Sequence, residues 1–156
     1  VVLDNSGTAM TGFQPHPGLD HNALGEEAPG MDIAKICGAI GARVEIRDPF
    51  DLRETRETLN NLIEDKNGAK VLVLRQVCAL SPQRRHKKNY DVWVDQTICV
   101  GEACGCGRLC TRIFRCPGII WNYEKKRAEI DEVICAGCGV CADVCPKGAI
   151  KRKDVV

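Results

Sequence analysis

Eleven cysteines stand in this 156-residue sequence, and nine of them fall between Cys99 and Cys145. The tightest run, Cys135-Ala-Gly-Cys138-Gly-Val-Cys141-Ala-Asp-Val-Cys145-Pro146, has the spacing C-x2-C-x2-C-x3-C-P that wraps an iron–sulfur cluster. Thiolates spaced by two residues reach one face of a cubane from a single tight loop, and Gly137 and Gly139 let the backbone close around it. In such runs the fourth cysteine serves another cluster. A partner motif is therefore expected upstream, and Cys99-Val-Gly-Glu-Ala-Cys104-Gly-Cys106-Gly-Arg-Leu-Cys110-Thr-Arg-Ile-Phe-Arg-Cys116-Pro117 supplies one. Two 4Fe-4S clusters are the natural reading. Zinc is the rival, but structural zinc sites pair two C-x2-C units a dozen or more residues apart, a spacing the second run lacks.

The elements around these runs are short. Tyr90 to Val94 alternates as a strand leading into the first cysteine loop, Gly118 to Trp121 and Arg127 to Ile130 flank a turn, and Ala149-Ile150 follows the second run. This is the pseudo-twofold pattern of a small α+β, two-cluster domain of bacterial ferredoxin type over residues 90–156. Ser81 to Asn89 is polar and basic and reads as a linker (81–89), a solvated segment before a docking site.

Residues 1–80 have a different pattern. Val1 to Leu3 reads as a buried parallel strand, and the polar stretch after it falls at the strand's carboxyl end, where α/β sheets bind ligands. Met10 to Gly18 is too rich in Gly and Pro for helix or strand. Asp32 caps a helix with Ile33, Ile36, Cys37 and Ile40 on one face, and Gly41 ends it. Arg43 to Arg47 alternates as a strand. Asp51 with Glu54 makes a capping box for a helix from Leu52 to about Asp65, with Thr55, Leu59, Leu62 and Ile63 facing inward. Asn67-Gly68 turns the chain into an apolar strand, Ala69 to Leu74. Strand, helix, strand, helix, strand implies a doubly wound, parallel α/β layer, and only part of one. The abrupt start without an initiator methionine leads to the expectation of a piece of a larger polypeptide.

Composition bounds the function. Formal net charge is +1, which gives no global field for nucleic acid or an anionic membrane. The basic run Arg84 to Lys88 has no interleaved aromatics and matches no nucleic-acid reader motif. No apolar run is long enough to cross a bilayer, and an odd count of cysteines, nine of them at ligand spacing, suits a reducing cytoplasm rather than a disulfide scaffold. A stand-alone electron carrier remains a rival from another class.

The string Asp4-Asn5-Ser6-Gly7-Thr8-Ala9-Met10-Thr11-Gly12, with Gln14-Pro15-His16-Pro17-Gly18, Arg75 to Cys78 and the cysteine module, resembles the C-terminal part of the indolepyruvate ferredoxin oxidoreductase alpha (large) subunit family. The resemblance implies the end of a thiamine-diphosphate-binding domain over residues 1–80. It implies CoA-dependent oxidative decarboxylation of indole-3-pyruvate and other aryl 2-oxo acids, with electrons passed to external ferredoxin and a beta subunit as partner. A pyruvate-type 2-oxo-acid preference is the alternative. Asn5 and Gly7, with Thr8, would serve thiamine diphosphate and Mg²⁺, as the second half of a metal–diphosphate motif whose first half, Gly-Asp-Gly, is not in this sequence. The first cysteine motif departs from the usual pattern by holding a fifth cysteine. Cys116 is expected to join Cys135, Cys138 and Cys141 on the second cluster, and Cys145 to cross back to the first. Cys99, Cys106 and Cys110 complete that set, with Cys104 as the alternative to Cys106. No residue stands out as a general base. Cys37 and Cys78 read as structural thiols, His16 as loop scaffolding, and Trp93 and Trp121 as packing.

Overall fold

The computed structural model describes residues 1–81 and 88–155, which divide into two compact units, Val1–Ser81 and Pro82–Val156. Most of the basic segment, residues 82–87, lies outside the described residues.

The first unit is built on a three-stranded parallel sheet of β1 (Val2–Asp4), β2 (Arg43–Arg47) and β3 (Lys70–Arg75), in the order β1-β3-β2. The central strand is the apolar one, as a strand covered on both faces must be: Leu72 and Val73 are buried. Two helices complete the layer, α1 (Ile33–Ala39) and α2 (Leu52–Glu64). Asp32 caps α1 by accepting from the Ala34 and Lys35 amides. Of the expected apolar face, Ile33 and Cys37 are half-buried, but Ile36 and Ile40 are exposed.

Helix α2 is rotated from the expected orientation. Thr58 and Leu62 are its buried residues, whereas Leu59 and Ile63 are 37% and 65% exposed. A tertiary bond accounts for the rotation: the Arg47 Nε donates to Thr58 Oγ1 at 2.8 Å, so the hydroxyl enters the α2–β2 interface already satisfied. The capping box is half made. Asp51 accepts the Glu54 amide at 2.9 Å, but the Asp51 amide goes to the Asp48 carbonyl and the Glu54 carboxylate to Arg47. Asp51→Ala is expected to cost about 1 kcal/mol, read as a lower denaturation midpoint with unchanged slope, because it orphans one donor and no reciprocal bond.

Ser81 is buried, with its amide donating to the Cys78 carbonyl, so it ends the first unit rather than beginning a linker. Lys88 and Asn89 likewise belong to the second unit: Lys88 Nζ donates to the Glu132 carbonyl, and the Val155 amide to the Asn89 carbonyl.

Among its described residues the second unit has two antiparallel ribbons and two short helices. β4 (Tyr90–Val94) pairs with β7 (Ile150–Asp154), and β5 (Ile119–Asn122) with β6 (Arg127–Ile130). Helices α3 (Leu109–Arg112) and α4 (Val140–Val144) each follow a cysteine loop. The core is small: Ile119, Ala128, Cys141 and Ile150 are buried, with Cys99, Cys110, Cys116 and Cys145 packed against them. A unit with so small a core, five of whose members are thiols, has little apolar area to stabilise it and gains from what the thiols bind.

Candidate functional site

The two cysteine loops start from one repeated device. Asp95-Gln-Thr-Ile-Cys99 and Asp131-Glu-Val-Ile-Cys135 share the pattern D-x-x-I-C. In the first, Asp95 Oδ1 accepts the Thr97 amide and the Asp95 carbonyl the Cys99 amide; in the second, Asp131 Oδ1 accepts the Val133 amide and its carbonyl the Cys135 amide. These side-chain turns place Cys99 and Cys135 equivalently.

The middle cysteines are also equivalent in backbone. Gly137-Cys138-Gly139 has left-handed glycines at φ 61° and 78°, and Gly105-Cys106-Gly107 repeats this at 71° and 61°. Each is followed by a helix whose second residue is a cysteine, Cys141 in α4 and Cys110 in α3. Cys106 is therefore the counterpart of Cys138. Cys104 has no counterpart, and ends a short 3-10 turn over Gly101–Cys104.

Cys99, Cys104, Cys106, Cys110 and Cys145 line one pocket, walled by apolar side chains such as Val94, Ile98, Leu109 and Ile150. Cys145 thus faces the first loop although it comes from the second. The reverse holds on the other side, where the thiols whose charges act on Cys116 are those of Cys138 and Cys135. The structure brings together Cys116, Cys135, Cys138 and Cys141 as one neighbourhood and Cys99, Cys104, Cys106, Cys110 and Cys145 as another.

Burial pushes the Cys141 thiol up to about 12, helped by Cys138, Cys116 and Cys135. Burial also raises Cys116 and Cys110, the latter with Cys106 and Cys145 adding to it. Their mutual hydrogen bond sets Cys104 and Cys106 apart, holding the Cys106 thiol low and Cys104 high. Thiolates crowded into an apolar wall repel one another, and a cluster core carrying positive iron removes that penalty.

The fit to such a group rests on two further observations. Backbone amides already point at sulfur: Cys106 N–H to Cys104 Sγ at 3.4 Å, Gly137 N–H to Cys135 Sγ at 3.4 Å and Ala149 N–H to Cys145 Sγ at 3.3 Å. Arg108, between Cys106 and Cys110, stacks its guanidinium 3.9 Å over Trp121 and leaves Nε buried without a hydrogen-bond partner among the described residues. An acceptor-rich cluster beside this loop is the kind of group that satisfies such a donor. Nothing in the sequence pattern singled out Arg108; its left-handed φ of 58° is visible only in the fold. Trp121 packs on the core as expected, whereas Trp93 is 46% exposed.

In the first unit, Asn5, Gly7 and Thr8 follow the carboxyl end of β1. Pairing continues beyond the sheet, with the Gln76 amide donating to the Asp4 carbonyl and the Cys78 amide to the Asn5 carbonyl. Arg75 Nε anchors the same corner on Asp4 Oδ2 at 2.8 Å. The following loop is more ordered than its composition suggests. Ala9–Thr11 forms a 3-10 turn, and the Thr8 amide donates to the Gln14 carbonyl while the Phe13 amide donates back to Thr8. Gly7 is buried there. Oxygen donors at the carboxyl end of a parallel sheet suit a hard cation, and this corner offers them from one side. His16 Nδ1 accepts the Gly18 amide at 3.1 Å, which locks its ring locally. Cys78 is half-buried within the sheet unit.

Comparison with known proteins separates along the same division. The family described as thiamine pyrophosphate enzyme, C-terminal TPP binding domain, matches residues 1–74, and the 4Fe-4S binding domain family matches residues 128–151. The chain is 39% identical over 153 residues to indolepyruvate oxidoreductase subunit IorA of Thermococcus kodakarensis, covering 97% of this chain and 23% of that protein. It is 40% identical over 159 residues to the same subunit of Pyrococcus horikoshii, with the same coverage of 97% and 23%. An uncharacterized ferredoxin of Methanocaldococcus jannaschii is 33% identical over 63 residues, covering 38% of this chain and 90% of that protein. The chain thus spans about a quarter of the length of the curated IorA relatives it matches. No solved structure matches it. Thiamine diphosphate and iron–sulfur clusters are the cofactor classes of its two units.

Proposed function

We propose that this chain, similar over 97% of its length to indolepyruvate oxidoreductase subunit IorA, forms the electron-relay end, and one edge of the thiamine site, of a 2-oxo-acid:ferredoxin oxidoreductase acting on indole-3-pyruvate and related aryl 2-oxo acids. The observation that carries the reading is the exchange of Cys116 and Cys145 between two cysteine neighbourhoods, in a chain that also holds the Asn5 loop. A ferredoxin-sized relative accounts for the second unit alone.

When bound, thiamine diphosphate supplies a carbanion-stabilising centre for decarboxylation, and 4Fe-4S clusters accept the released electrons singly. This chain's residues hold and insulate those groups. Cys99, Cys106, Cys110 and Cys145 take the first cluster and Cys116, Cys135, Cys138 and Cys141 the second. The exchanged cysteines would tie each loop to the other's cluster and so hold the two loops together. Val94, Ile98, Leu109 and Ile150 exclude water from the first. Asn5, through its amide oxygen, and Gly7, through its carbonyl, would hold Mg²⁺ for the diphosphate, with Thr8 beside them. Coenzyme A takes the acyl group, a beta subunit completes the enzyme, and external cytoplasmic ferredoxin receives the electrons.

The test is viologen or ferredoxin reduction by the complete two-subunit enzyme under anaerobic conditions, dependent on coenzyme A, with indole-3-pyruvate and pyruvate compared. Turnover favouring the aryl substrate is expected. Turnover favouring pyruvate would change the substrate, and none with any 2-oxo acid would remove the assignment.

A further inference from the structure

A cubane has four corners to ligate, yet five thiols line the first pocket. The backbone repeat assigns the ligand corresponding to Cys138 to Cys106, since both sit between left-handed glycines. Cys104 is left over, but it is not remote: its Sγ accepts the Cys106 amide at 3.4 Å and lies on the same wall. The arrangement resembles a ligand's, because Cys135 Sγ accepts the amide of Gly137, also two residues on, at the same 3.4 Å. Cys104 is therefore oriented and hydrogen-bonded like a cluster thiolate while standing next to one.

Taking the two-cluster reading as its basis, we propose that Cys104 is a reserve ligand of the first cluster, replacing Cys106 on the same iron. The exchange balances: the Fe–Sγ bond to Cys106 breaks, one to Cys104 forms, and the proton lost by the Cys104 thiol is taken up by the Cys106 thiolate. No oxidant or reductant is involved. The movement is short because Gly105, at φ 71° and with open space about its Cα, is the only residue between them. Such an exchange keeps the relay intact when Cys106 is displaced, and gives the first cluster a second ligation state that the second cluster, with four thiols, cannot adopt.

The test compares the full chain with C104A, C106A and the double variant, each reconstituted anaerobically with iron and sulfide, by metal analysis and by EPR after reduction. The second cluster's signal in the same sample reports that the unit has folded. Wild type and C104A are expected to hold the same iron, about eight atoms per chain. C106A is expected to hold as much, with altered g-values for one cluster only, and the double variant half as much. Loss of half the iron in C106A alone, with the second cluster's signal retained, overturns the proposal. So does loss in C104A alone, which would make Cys104 the resident ligand. Only about four iron atoms in the wild type would remove the two-cluster reading itself.

Discussion

Gly101→Ala is expected to prevent the second unit from folding, or to destabilise it by more than about 4 kcal/mol, which is most of a small domain's margin. Gly101 adopts φ +65°, and an added Cβ would lie 1.9 Å from the Lys126 carbonyl oxygen and 3.1 Å from its carbon. Backbone cannot yield there cheaply. Lys126 itself is left-handed at φ 52° in the β5–β6 turn, Arg127 donates to the Gln96 carbonyl, and Gln96 Nε2 donates to the Ala128 carbonyl at 3.1 Å. Moving Lys126 therefore loosens both the turn and the start of the first cysteine loop. Gly105→Ala is the control: its φ is also positive, but nothing lies within 4 Å of the added atom, so only the left-handed strain of about 1–2 kcal/mol applies. Denaturant midpoints of the two variants, read on the reconstituted chain, should differ widely. Equal midpoints would mean that the close contact at Gly101 does not govern this loop.

Cys141→Ala is expected to halve the iron content and to lower the stability of the second unit more than any substitution in the first. Cys141 is both core and ligand, buried with Ile119, Ala128 and Ile150. Truncation removes a thiolate from the second cluster and leaves a gap where the core is thinnest, and since cluster ligation is folding energy, both losses act on one transition. The same thiol predicts a pH dependence. With burial holding Cys141 up to about 12, the apo chain is protonated there at neutral pH and must release the proton on ligation. Cluster affinity should therefore rise with pH, about tenfold per unit for each proton released, and weaken as pH falls. Cys37→Ala, half-buried in α1, should leave iron and pH behaviour unchanged.

The parallel sheet, both longer helices and the short strand stretches of the second unit were legible in the sequence because they depend on local signals such as the Asp32 and Asp51 caps, the Asn67-Gly68 turn, and the apolar run of β3. The inward face of α2 was not. Leu59 and Ile63 satisfy the helical period as well as Leu62 does, and the bond from Arg47 that admits Thr58 joins residues that no periodicity connects. The reciprocal arm of the capping box failed for a related reason, since Arg47 competes for Glu54.

In the cysteine region, spacing was enough to raise the expectation of two groups, but not to decide between Cys104 and Cys106. The likeness of Cys106 to Cys138 lay in the neighbours: a glycine on each side of both, and the repeated D-x-x-I-C before each loop. Arg108 left no such trace. Its relation to Trp121 depends on how β5 returns across α3, which is a property of the fold.

The central claim, that two exchanged sets of four cysteines hold two clusters, is tested most directly by anaerobic iron and acid-labile sulfide analysis of this chain, with EPR after dithionite reduction. The account predicts about eight iron and eight sulfide per chain, with broadened signals from two interacting reduced clusters. About four of each with a single isolated signal, or zinc without sulfide, would contradict it.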